Sequence, residues 1–170
     1  KRLVIVLVLL PLLFLLLHHL FPLRDAVAYS TIITDEKGQV VNKGFNYYTE
    51  PSLWDDYRNK LVLLGMLTPK VTEDVIKSLI DKGEKSGFMP TFFHGDHAAP
   101  FIAGSYLRGI KGFDVKSAYN LLLRNATLEN KSRPHVLDYI ALGYVPEKDI
   151  PNPKVETVST AGVTKTLEYA

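Results

Sequence analysis

No cysteine occurs in the 170 residues. That excludes disulfide bonds, a thiolate nucleophile and thiolate metal sites, and leaves the compartment open, since exported proteins also fold without disulfides. An excess of one charge is nearly absent too. Twenty Lys and Arg stand against 18 Asp and Glu, a net +2, and no basic stripe interleaves with aromatics, so nucleic-acid binding drops out. No strict repeat of fixed period is present either. Apolar side chains are abundant: 46% of residues are hydrophobic against 22% charged, the balance of a chain that buries a core. Its length suits one domain or a piece of a larger one.

Lys1 and Arg2 precede an apolar run, Leu3 to Leu17, interrupted only by Pro11. A basic pair before such a run has the shape of an export signal or membrane anchor. The run reaches the length of a spanning helix only if extended to Phe21, giving membrane attachment through residues 3–21. A buried helix of a larger protein is the alternative. Ala26 and Ala28 make a small-x-small pattern of the kind a signal peptidase reads. Residues 1–28 are therefore expected to form a signal or anchor segment of an exported protein, and residues 29–170 the folded part. His18 and His19 are adjacent on a helix, do not face one site, and read as structural. The chain opens on Lys1 rather than Met and stops inside a helical pattern, KTLEYA, so both ends are expected to be cut.

Tyr29 to Thr34 is β-branched, Asp35-Glu36-Lys37-Gly38 is a turn, and Gln39 to Val41 is extended again, which predicts a β-hairpin. GFNYYTE, Gly44 to Glu50, reads as an aromatic loop lining something. From Ser52 onward the pattern is helical. Ser52 is expected to cap LWDDYRNKLVLLGML, with Trp54, Tyr57, Leu61 and Leu64 on one face and Asp55 and Arg58 paired on another. Pro69 opens a helix to about Lys85, with Val75, Ile76, Leu79 and Ile80 inward and Asp74, Lys77, Asp81 and Lys82 outward; Gly87 ends it. Asp114 caps a helix to about Asn125, with Val115, Ala118, Tyr119 and Leu122 inward. Pro134 is placed for the first position of a helix over VLDYIALG, stopped at Gly143-Tyr144-Val145-Pro146. Ser159 or Thr160 is placed to cap a last helix. Asn125-Ala126-Thr127 and Asn130-Lys131-Ser132 match the glycosylation sequon. Roughly six amphipathic helices without interleaved strands predict an all-α array or toroid.

Between these helices lies Gly87 to Arg108, GFMPTFFHGDHAAPFIAGSYLR. A Gly-rich turn presents His94, Asp96 and His97 and runs into a small-residue apolar helix. One carboxylate and two imidazoles at such a place make a polar pocket wall. The alternative is a helix cap, with Asp96 as N-cap and the imidazoles solvated or packed.

SLWDDYR (52–58), GFMPTF (87–92), HGDHA (94–98), YLRGIKGFDVKSAY (106–119), LGYVP (142–146) and VTKTLEYA (163–170) occur in an order and spacing that resembles the catalytic domain of glycoside hydrolase family 92. The resemblance runs from about Tyr29 to Ala170. It implies an exported α-mannosidase, acting on mannose-containing glycans with inversion and using calcium, whose catalytic domain is an (α/α)6 toroid. The fold expected here is thus all-α, part of such a toroid, preceded by a short β-hairpin and an apolar N-terminal helix. Inversion needs a carboxylic acid at the leaving oxygen and a carboxylate about 6.5–9.5 Å away that activates water. The resemblance implies Glu168 as the acid, a role that calls for a pKa raised by burial or negative charge. Asp55, Arg58, Asp96 and His97 are the candidates for the sugar-binding wall, since carboxylates and guanidinium groups hold vicinal hydroxyls by charge-assisted hydrogen bonds. Trp54 is a candidate platform for a sugar face, with burial in the core as its alternative.

The resemblance also places the family's calcium ligands and catalytic-base aspartates in motifs after KTLEYA, and its N-terminal sandwich before the toroid. None of these motifs is present, so no calcium ligand is assigned in this chain. The expectation is a fragment that is inactive alone and lacks the remainder of its own catalytic domain. The alternative is a non-catalytic, membrane-anchored helical module that binds carbohydrate or a partner.

Overall fold

Proline, glycine and the small polar residues decide where the helices of this chain break. The computed structural model describes Lys37 and residues 41–49, 51–91, 96–130 and 135–144. Among these the chain forms helices α1 (Leu53–Asp56), α2 (Lys60–Leu67), α3 (Pro69–Ser86), α4 (Ala98–Leu107), α5 (Val115–Thr127) and α6 (Val136–Leu142), and no strand. The fold is all-α. The apolar segment 1–28, nearly all of the expected hairpin and the expected last helix lie outside the described residues.

One residue, Thr68, links α2 to α3 and serves both. Its N–H and its hydroxyl both donate to the Leu64 carbonyl, at 2.7 and 3.1 Å. Pro69 then excludes the helical conformation at Thr68, which takes φ −139° and ψ 66°. Proline itself suits the first helical position, where no N–H is needed. At the far end Gly87, at φ 87°, donates to the Gly83 carbonyl and closes α3, as the sequence predicts. Asp114 accepts the Ser117 N–H at 2.9 Å and starts α5. Gly143, at φ 77°, closes α6.

The single helix expected from Ser52 is two. Asn59 bonds its side-chain oxygen to the Lys60 N–H at 2.6 Å and starts α2 afresh, leaving Tyr57–Asn59 as a turn. Short polar side chains compete with the backbone ladder in this way. The inward residue of α1 is Leu53, not Trp54, which is 43% exposed. On α5 the buried face is Ala118, Leu121 and Asn125, with Leu122 packed at its edge. Val115 and Tyr119, expected inward, are exposed, at 40% and 62%.

The core lies between α2, α3, α4 and α5. Leu61 and Leu64 meet Val75, Ile76, Leu79 and Ile80 of α3, and Phe101, Ile102 and Leu121 close the other side. Each such side chain contributes roughly 1.5–3 kcal/mol by leaving water. The α3 stripe is the predicted one. Asp74, expected to be solvated, is buried; Lys70 reaches it at 2.9 Å and compensates its charge. Asn125 is also buried, and its amide donates to the Met89 carbonyl at 2.9 Å.

Candidate functional site

The turn between α1 and α2 meets the start of α4 through two rings. Tyr57 lies against His97 with ring centroids 4.1 Å apart and planes tilted by 45°. Arg58, next along the turn, donates from Nε to the Tyr57 hydroxyl at 2.6 Å, and its guanidinium lies 5.0 Å over the Tyr57 ring. Arg58, Tyr57 and His97 are therefore one contiguous unit. It sits where the helix breaks, at Tyr57–Asn59.

Asp96 and His97 are both buried, at 2% and 1% exposure. The expected cap role of the Asp96 side chain is not what holds α4. His97 occupies the N-cap position without a side-chain cap bond, and the Asp96 backbone carbonyl accepts the Ala99 N–H at 3.2 Å. A buried carboxylate at the start of a helix is a candidate for a role at a site. Pro100, in the first turn, costs no backbone bond.

Asp55 lies on α1, one turn before Arg58, and accepts the Ser52 hydroxyl. The two residues bracket the first turn of that helix. The expected pairing of Asp55 with Arg58 does not form, because Arg58 is turned to Tyr57. Trp54 and Asp55 remain solvent-accessible on α1. The structure thus joins Arg58 to His97 through Tyr57 and sets Trp54 and Asp55 near Arg58 along the chain. His94 and Glu168 lie outside the described residues. Tyr57 packs at the edge of the core, as the sequence predicts; its contact with His97 is the part the helical pattern did not show.

No group of three or more His, Asp or Glu among the described residues could hold a metal ion, so no step through calcium is derived from them. A cleft of about 920 Å³ opens elsewhere, among Gly65, Met66, Lys70, Glu73, Arg108 and Lys111, and none of the candidate wall residues lines it. In it Glu73 is held below the ordinary carboxylate range, chiefly by the Lys77 ammonium and further by Lys70.

Residues 23–170 match the family model described as the glycosyl hydrolase family 92 catalytic domain. Among solved structures the chain is similar to an inverting mannosidase of that family from Bacteroides thetaiotaomicron VPI-5482. The two are 24% identical with a TM-score of 0.58 over 73% of this chain and 18% of that one. The chain therefore spans under a fifth of that enzyme's length. No curated protein matches it.

Proposed function

The chain belongs to glycosyl hydrolase family 92, and from that premise we propose that it forms part of the catalytic domain of an exported, α-mannosidase-like glycoside hydrolase. In this reading the described helices are a portion of an (α/α)6 toroid. The α1–α2 turn and the start of α4 form one wall of a site for terminal α-mannosides. The contact of Tyr57 with His97 carries the reading, because it brings a guanidinium from the α1–α2 turn and an imidazole from the start of α4 to one place, with a buried carboxylate next to that imidazole along the chain.

Arg58 and Asp55 would hold sugar hydroxyls by charge-assisted bonds. Asp96 and His97 would form the base of that wall, and exposed Trp54 would offer its ring to an apolar sugar face. Glu168 is the proposed general acid of an inverting hydrolysis, protonating the leaving oxygen while a second carboxylate activates water. Calcium, used by the family, would be bound by residues other than the described ones. A polypeptide of these 170 residues is expected to bind mannosides and not to hydrolyse them.

Trp54 is the sole tryptophan, so its emission reports binding directly. Titration with a mannobiose is expected to change that emission, with affinity falling about tenfold in Arg58→Ala and in Asp55→Ala, the effect of losing one charge-assisted bond. Both side chains are exposed, so stability should barely move. Unchanged affinity in both variants would remove the wall from the reading. Metal-dependent turnover by this polypeptide would refute its inactivity.

A further inference from the structure

Residues 42–49 run along α3 as a strap held at successive turns of that helix. The Tyr48 N–H donates to Ser78 Oγ at 3.0 Å, and Ser78 Oγ donates to the Asp74 carbonyl at 2.7 Å. Lys82 Nζ donates to the Tyr48 carbonyl at 3.1 Å. One turn on, Asp81 gathers three donors: Lys43 Nζ at 2.8 Å on Oδ1, and the Tyr47 hydroxyl at 3.1 Å and Lys85 Nζ at 2.6 Å on Oδ2. Two of these come from the strap. The Lys82 and Lys85 ammonium groups also lie 5.6 and 5.9 Å over the Tyr47 ring.

The strap leads within a few residues to buried Pro51 and to α1, and the Tyr48 ring packs in the same core cluster as Leu53, the first residue of α1. A four-residue helix is too short to hold itself in water. Its place depends on what anchors its ends. One end is anchored by Tyr57 on His97; the other depends on the strap.

We propose that Asp81 and Ser78 are positioning residues for the sugar-facing wall: by clamping the strap to α3 they fix where α1 presents Trp54 and Asp55. The inference rests on the wall proposed above, but its test does not. Amide hydrogen exchange of the whole chain reads it. In Asp81→Asn the Tyr48 amide and the α1 amides of Asp55, Asp56 and Tyr57 should exchange about tenfold faster or more, as expected when bonds to a charged acceptor weaken. Amides of α5 should not change. Lys43→Met combined with Tyr47→Phe, which leaves α3 untouched, should give the same pattern. Glu84→Gln, which removes an exposed carboxylate from the same helix, should leave α1 unaffected. Acceleration that stops at Tyr48, or that runs equally through α5, would overturn the proposal. Faster α1 exchange in a chain whose wild type binds no mannoside would sustain the clamp and sink the sugar reading instead.

Discussion

Asp81 is partly withdrawn from water and yet holds its proton less tightly than a free aspartate. Burial works against its charge and is the largest single influence; the hydrogen bonds from Lys43, Lys85 and Tyr47 together outweigh it and carry the pKa below the ordinary 3.8. The folded value lies below the unfolded one. The stability Asp81 contributes is therefore complete above about pH 4 and is lost as pH falls through the folded value. Acid unfolding of Asp81→Asn, followed by circular dichroism, is expected to start from a lower stability and to show a shallower fall below pH 4 than the wild type. Caps and stops at this scale were legible in advance. Pro69, Gly87, Asp114 and Gly143 act as their chemistry requires, since each imposes or tolerates one backbone conformation. Asp74 was not legible, because a carboxylate on a helix reads as solvated until the lysine that accompanies it inside is known.

Among the helices, α3 and α5 are matched at a glycine. A methyl group at Gly83 would lie 2.8 Å from Leu121 Cδ1 and 3.2 Å from the Phe88 carbonyl oxygen. Leu121 is buried and the carbonyl belongs to the backbone, so neither can retreat freely. Alanine gains up to about 1 kcal/mol of helix propensity over glycine, but overpacking costs about 1–3 kcal/mol. Gly83→Ala is expected to lose about 1 kcal/mol in urea denaturation, against the usual direction of this substitution in a helix. Element identity was largely legible from periodicity. The break at Asn59 and the rotated face of α5 were not. The first depends on one side chain capturing one N–H. The second depends on Asn125 being drawn inward to the Met89 carbonyl, which turns Tyr119 out to solvent.

Across the whole molecule, large apolar side chains remain uncovered: Leu107 is 83% exposed, Met66 69% and Ile140 57%, besides Tyr119. Surfaces of this kind promote association. Sedimentation velocity of the 170-residue chain is expected to show concentration-dependent self-association, reduced in Leu107→Glu combined with Tyr119→Lys. A monomer at every concentration would contradict it. The all-α class followed from the helical pattern alone, whereas the family rested on short strings read together, which the match over residues 23–170 confirms. Of the candidate site, the pairing of the α1–α2 turn with the start of α4 could not be read in advance, because it is a contact between rings far apart in the chain, Tyr57 and His97.

Asn125 has a consequence for the choice of production host. It begins a match to the glycosylation sequon, yet its amide is enclosed and bonded to the Met89 carbonyl. A eukaryotic secretory host adds its glycan while the chain is still open. A chain so decorated could not seat α5 against the segment that follows α3, and secretion there becomes a race between the transferase and the fold. A bacterial host runs no such race.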